Sequence, residues 1–422
     1  MKYLNMKNEE LNMEYNKLLD EYELYREKKL NIDMSRGKPS KEQLELSNDI
    51  LNMKITDVEI DGFDIRNYGC LNGLPSARRL FADVFKVDES EIIIGGNSSL
   101  NLLHDLLMHF MLFPLASSCK PWCKYSEIKF LCPVPGYDRH FAILEKLGIK
   151  MVNVDMTREG PDMDQVENLV KKDNSVKGII CVPKYSNPTG ITYSNDVINK
   201  LVNLKTKARD FVIIFDNAYS EHHLYDVHDT LVNCLDESKK SKYENRVYIF
   251  SSTSKMTFPG SGIAFMISTE KNIERMKKWL SVETIGFDKV NQLRHVLFFK
   301  NANGVAEHMK KHAEILRPKF KIVDQILTER LSGYDLASWS KPYGGYFISL
   351  DTLDGCAKKV IEMCKEAGIT FTKAGTTFPY GLDPRDRNIR IAPSYLSMEE
   401  LKTAIEILCL AIKIVSLENI QR

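Results

Sequence analysis

From Glu91 to Lys255 the chain alternates short apolar or β-branched runs with stretches of helical periodicity, and few architectures accept such a pattern. Ile92-Ile-Ile94 leads to the periodic stretch Leu100 to Leu112, and Ile128 to Leu131 leads to Tyr137 to Leu147. Lys150 to Asp155 precedes Met163 to Val170, and Gly178 to Val182 precedes Asn195 to Leu204. Phe211 to Phe215 and Arg246 to Phe250 continue the series. Runs without a polar face must be buried on both sides, which calls for an α/β fold: a mainly parallel sheet covered by helices and joined by right-handed crossovers. After about Trp279 the alternation loosens. A helical segment from Val305 to Leu331, then Gly344 to Leu350, a helix, Ile369 to Lys373, Ile389 to Ala392 and a closing helix from Met398 describe a smaller α+β unit. A length of 422 residues suits two domains. The expected division is 47–295 for the sheet domain, with 1–46 and 296–422 forming the small one. A helix over about Asn8 to Lys28 is expected to pack on the small domain or on a second subunit.

In an open α/β sheet, ligands sit beyond the carboxyl ends of the strands. That rule selects Asn97 and Ser98, Pro135 to Tyr137, Pro183 to Gly190, Asp216 and Lys255. The ligand class is narrowed by charge: 58 basic against 57 acidic residues leave a net charge of +1, with no field to draw nucleic acid or an anionic membrane. Small molecules are the expected partners. Nine cysteines at irregular spacing argue against a secreted disulfide framework and for a reducing cytoplasm. Cys119, Cys123 and Cys132 lack the paired spacing of a zinc clip, so no metal is expected. No apolar run is long enough to span a membrane, and Met1 to Lys29 lacks a signal-peptide core.

The selected residues fit the demands of pyridoxal phosphate. An imine-forming lysine must be available as the neutral amine, which desolvation or a nearby cation promotes. Lys255, closing Ser251-Ser252-Thr253-Ser254-Lys255 after an apolar run, is the candidate, against the plainer reading of a solvated loop lysine. The pyridine nitrogen needs a buried carboxylate, and Asp216 ends Phe211-Val-Ile-Ile-Phe215; capping a following helix is its other reading. Tyr219 and Asn187, the latter in Asn187-Pro-Thr-Gly190, are placed to meet the ring hydroxyl, and Tyr137 to lie over the ring. The phosphate wants amides at a helix start together with hydroxyls, which Asn97, Ser98 and Ser99 offer and Ser252 and Ser254 extend. Arg390 stands inside the apolar Asn388-Ile-Arg-Ile-Ala-Pro393, an unusual place for a charge without an anion to meet.

The order of these elements resembles the fold type I pyridoxal phosphate aminotransferases over nearly the whole chain, from Ser35-Arg-Gly-Lys-Pro39 to Arg390. The strings Phe130-Leu-Cys-Pro-Val-Pro-Gly-Tyr-Asp-Arg-His140, Val182-Pro-Lys-Tyr-Ser-Asn-Pro-Thr-Gly190 and Asp216-Asn-Ala-Tyr219 are similar to a bacterial subgroup of aspartate aminotransferases. The resemblance implies a large domain on a mainly parallel sheet of the seven-stranded type, plus a smaller α+β domain. It implies Lys255 as the Schiff-base lysine, Asp216 as pyridinium partner, Tyr219 and Asn187 at the ring hydroxyl, Tyr137 stacked on the ring and Arg390 on the substrate α-carboxylate. Gly37 would belong to a lid over the substrate, and Tyr68 would reach the phosphate of a neighbouring subunit, making a homodimer with shared sites. Ser261 and Gly262 stand where the wider family carries a phosphate-binding arginine, so amides, hydroxyls or another cation must serve.

The expected activity is ping-pong transamination, aspartate and 2-oxoglutarate giving oxaloacetate and glutamate, with Arg36 and Lys38 as candidates for the second carboxylate. The same scaffold also serves aminotransferases and lyases for other amino acids. A non-catalytic effector-binding domain of a transcription regulator is the reading from another class, and the stretch ahead of Ser35 is too short for the winged helix it would carry.

Overall fold

The structure is a computed structural model and describes Tyr3, residues 6–115 and residues 120–421. Its centre is an eight-stranded sheet in the spatial order Ile92–Ile94, Ala264–Ile267, Val247–Ser252, Val212–Asp216, Val176–Cys181, Lys129–Val134, Lys150–Thr157, Gly160–Pro161. From Val247–Ser252 through Lys150–Thr157 the five neighbouring strands run parallel. Three of them, Val176–Cys181, Val212–Asp216 and Val247–Ser252, are buried at every residue, Lys177 included, as strands covered on both faces must be. Two apolar clusters cover the faces. One gathers Leu131, Ile179, Phe215 and Ile249, and the other Phe130, Ile180, Ile214 and Phe250.

The sheet is mainly parallel, as expected, with antiparallel pairing at Ala264–Ile267 and at Gly160–Pro161. Ala264–Ile267 pairs antiparallel with both Val247–Ser252 and Ile92–Ile94. The chain between Ser252 and Ala264 contains no helix to carry a crossover, so the strand can only return beside its predecessor in the opposite sense. That return bends the Lys255 loop over the sheet's carboxyl edge and pins it there, Ala264 N donating to Gly96 O at 2.7 Å and Gly95 N to Ala264 O at 2.8 Å.

The rest of the chain builds a third apolar cluster around Ala337–Trp339, Ile348–Thr352 and Asn388–Ile391, an antiparallel three-stranded sheet flanked by Ala357–Glu366 and Met398–Ile420. The helix Asn8–Glu27 joins it: Leu11, Leu18 and Tyr22 are buried, and Tyr22 donates to Met363 O at 2.8 Å. The 30-residue helix Ala302–Leu331 connects the clusters, its Val305 and Met309 lying with the large sheet and its Leu316, Phe320 and Val323 with the small one. We propose the division at 47–295 against 1–46 with 296–422 on that distribution of apolar contacts.

Near the fully buried Trp122, Lys177 is 1% exposed and donates to Asp210 Oδ1 at 2.8 Å, while Trp122 Nε1 donates to Oδ2 at 3.1 Å. Of the cysteines in this region, Cys119 lies outside the described residues, Cys123 and Cys132 are free thiols, and no metal-binding cluster occurs among the described residues. None of the described helices is long and apolar enough to cross a membrane. Lys177→Met should cost about 3–5 kcal/mol by leaving a buried carboxylate without its cation. Lys177→Met with Asp210→Leu should recover most of that loss in urea unfolding, and equal losses in the two variants would refute the pairing argument.

Candidate active site

Four strand ends deliver the site. Asp216 is the last residue of its strand and 5% exposed. Lys255 follows Val247–Ser252 at the next strand over, Asn187 lies beyond Val176–Cys181, and Tyr137 caps the helix Asp138–Lys146 after Lys129–Val134. Lys255, Tyr137, Asn187 and Tyr219 line one cleft of about 430 Å³ together with Arg36, Gly37, Lys38, Arg139, Phe347, Thr372, Lys373 and Arg390.

The Asp216 carboxylate is half used. His140 Nε2 donates to Oδ2 at 2.8 Å, whereas Oδ1 is buried without a partner. A carboxylate oxygen is not left bare at such depth without cost, so Oδ1 is built to receive a donor from outside the chain. Lys255 faces the same space, its Nζ 5.0 Å from the centre of the Tyr219 ring. Burial pushes its amine below the usual lysine range; Asp216 opposes that effect and Arg390 reinforces it. Burial likewise raises the phenols of Tyr137 and Tyr219, which therefore remain donors.

Arg390 is 6% exposed on the strand Asn388–Ile391. Its Nη1 donates to Asp138 Oδ1 at 2.9 Å and Asn187 Oδ1 at 3.3 Å, its Nη2 to Thr372 Oγ1 at 3.3 Å, and its Nε is buried without a partner. With its oxygen turned to Arg390, Asn187 keeps its amide end for a donor role. Gly37 sits against the Phe347 ring so closely that any Cβ there would run into it. Arg36 and Lys38 flank it, Lys38 Nζ resting 3.8 Å over the Tyr395 ring.

The serine-rich elements also converge. Ser252 donates to Ser254 Oγ at 2.9 Å, and Ser254 donates to Asn97 O at 3.3 Å. The helix starts at Ser99 rather than at Leu100; Ser98 is its N-cap, and its side chain makes no capping bond. That hydroxyl and the amides of Ser99 and Leu100 are thereby left to a ligand, Asn101 N donating to Ser98 O at 3.2 Å. Asn97 contributes differently from expectation, its side chain being spent on Pro259 O and Gly260 O. At Gly262 no side chain fits, since a Cβ there would meet Thr253 Oγ1 and Phe258 O, both at 2.8 Å. Tyr68 is not in this cleft; it is 80% exposed.

Sequence reasoning missed His140, Asp138, Arg139, Thr372 and Lys373. His140 was signalled only by its spacing from Tyr137 on one helical turn, and the others by nothing local.

A cleft of this composition at the carboxyl edge of this sheet defines the fold type I class of pyridoxal phosphate-dependent transferases. The chain belongs to the aspartate aminotransferase family, whose model matches residues 6–422. It is similar to an aspartate aminotransferase of Corynebacterium glutamicum, 43% identical over 90% of this chain and 88% of the other. A crystal structure of an aspartate transaminase from that organism superposes with a TM-score of 0.96 at 39% identity, covering 98% of each chain. An α-aminoadipate aminotransferase of Thermus thermophilus, crystallised with N-(5'-phosphopyridoxyl)-L-leucine, shares the fold at TM-score 0.74 and 19% identity over 92% of this chain and 93% of that one.

His140→Phe should lower stability by roughly 1.5–3 kcal/mol, the range for hydrogen bonds to charged groups. In a double-mutant cycle with Asp216→Asn the losses should be strongly non-additive; additive urea-unfolding values would show that the pair does not interact.

Proposed function

We propose that the chain transfers the amino group of aspartate to 2-oxoglutarate with pyridoxal phosphate bound in this cleft, as a cytoplasmic homodimer. The observation that carries the substrate class is the charge of the cleft. Arg390 is joined by Arg36, Lys38, Arg139 and Lys373, against one lining carboxylate, Asp138, which is itself paired with Arg390. Such an excess of cations suits a substrate carrying two carboxylates better than an apolar or aromatic one.

The residues suit the cofactor. Asp216 Oδ1 has the vacancy that a protonated ring nitrogen would fill, Asn187 and Tyr219 would donate to the ring hydroxyl, and Tyr137 would cover the ring face. Ser98, Ser99, Ser252 and Ser254, with the amide of Asn97, would hold the phosphate. A cation for it is suggested by Arg294, which lines a cavity with Asn97, Gly260, Ser261 and Gly262 and whose Nε is buried without a partner. When bound, the cofactor supplies an electron sink for the substrate Cα. Lys255 Nζ, whose proton affinity burial lowers, would take the Cα proton as general base and, as general acid, deliver it to the cofactor carbon that receives the amino group. Arg390 orients the α-carboxylate through its unpartnered Nε, and the cations near Gly37 receive the second carboxylate. Tyr68, outside its own cleft, is assigned to the neighbouring subunit's phosphate.

Lys255→Ala should abolish turnover; retained transamination with natural substrates would sink the assignment. Arg139→Ala or Arg36→Ala should cut kcat/KM for aspartate about 10- to 100-fold, the loss of one charge-assisted hydrogen bond. Alanine and phenylalanine, assayed beside aspartate with 2-oxoglutarate, should change little. An equal loss for all three would remove the role from that residue, and a preference of the unaltered enzyme for phenylalanine would overturn the dicarboxylate reading.

A further inference from the structure

Lys255 sits on a tight turn whose backbone is gripped from beneath by a polar cluster that the reaction does not use. His308 and His312 lie one turn apart on Ala302–Leu331, 5% and 1% exposed. His308 Nε2 is 2.8 Å from the carbonyl oxygen of Met256, the residue that follows Lys255, and 3.1 Å from His312 Nε2. Two ring nitrogens this close cannot be assigned from their separation alone, but their neighbours decide the protons.

Gln43 turns its Oε1 to Ser40 N at 3.1 Å, so the end that meets Tyr346 OH at 2.8 Å and His312 Nδ1 at 3.1 Å is its NH2 group. His312 Nδ1 is therefore an acceptor, and its proton lies on Nε2. His308 Nε2 faces a carbonyl and must also carry a proton. Both N–H groups converge on Met256 O, to which His312 is hydrogen bonded as well. Ser47 Oγ approaches the same oxygen at 3.4 Å. Burial holds both imidazoles neutral, pushing His312 down to about 3. The opposite side of the turn is held separately: Thr253 and Thr257 hydroxyls contact His295 Nε2 at 3.4 and 3.0 Å, and Met256 N donates to Thr253 O at 2.8 Å.

We propose that His308 and His312 form a two-donor clamp on the Met256 carbonyl that positions the Lys255 amine for its two states, joined to the cofactor and released as a base. Neither ring touches the reacting atoms, so both are positioning residues. A released lysine must return its amine to within bonding distance, and a misplacement of about 1 Å costs on the order of 100-fold in rate. A carbonyl with two fixed donors keeps the turn from relaxing when the side chain changes partners. Gln43 extends the clamp to Ser40, three residues beyond Gly37, so the segment leading out of the substrate loop rests on the same cluster.

This inference rests on Lys255 being the cofactor lysine, which borohydride reduction of the holoenzyme followed by peptide mass mapping establishes independently; label on another residue defeats that reading and the clamp with it. Given label on Lys255, His312→Leu and His308→Leu holoenzymes should lose about 10- to 100-fold in kcat, with KM for aspartate changed less than about 2-fold. The pH midpoint of the bound cofactor's visible absorbance change should move. His312→Gln and His308→Gln, which keep a donor, should restore both. Should the leucine variants not fold, Gln43→Leu frees His312 Nδ1 without removing either ring, and the same absorbance midpoint should move to a lesser degree. Leucine variants that melt at lower temperature yet keep the native kcat and absorbance midpoint would overturn the proposal, as would an unmoved midpoint in Gln43→Leu where that is the only variant that folds.

Discussion

The carboxylate of Asp216 is the point on which the rest of the site turns. One of its oxygens is satisfied by His140 and the other is buried and bare, at the end of a strand with no exposed residue. A chain can sustain that arrangement only if the surrounding structure holds the carboxylate in place and a ligand completes it. The sheet does the holding. Asp216 is flanked by Phe250 on the neighbouring parallel strand, and Asn217 N donates to Phe250 O at 2.8 Å, so the carboxylate cannot retreat from the cleft.

Lys255 is governed by the same geometry. The antiparallel return of Ala264–Ile267 folds the lysine loop over the carboxyl edge, where its amine loses water and lies in the opposing fields of Asp216 and Arg390. Packing that would be ordinary elsewhere acquires chemical consequence here: a strand that runs against the parallel pattern sets the position of the lysine. Arg390 arrives from the small domain's sheet, and its pairing with Asp138 joins residues separated by 252 positions across the cleft. The cleft thus needs the apolar packing of the large sheet and of the small one to be formed before its charges face one another.

Much of this was legible in the sequence because the informative residues interrupt strong local patterns. Asp216 ends an apolar run, Lys255 follows one, and Arg390 stands inside one, so each advertised a task that burial alone could not explain. What escaped notice depends on long-range proximity. His140 reads as an ordinary residue in a charged helix start until Asp216 is seen 2.8 Å away. His308 and His312 read as the apolar face of a long helix, and only the return of the Lys255 loop puts a carbonyl above them. The short strand Ala264–Ile267 was hidden because its sense is set by the lack of a crossover helix rather than by its own residues. The empty place of the phosphate arginine was legible, but the crowding that leaves no room for a side chain at Gly262 was not.

The central claim is that Asp216 holds the cofactor's ring nitrogen in its protonated form. It is tested most directly by the nitrogen-15 chemical shift of that ring nitrogen, recorded with labelled cofactor in the holoenzyme and in Asp216→Asn. A pyridinium shift in the native enzyme that becomes a neutral pyridine shift in the variant is the result predicted here. The same shift in both proteins, or a neutral ring in the native one, would contradict it.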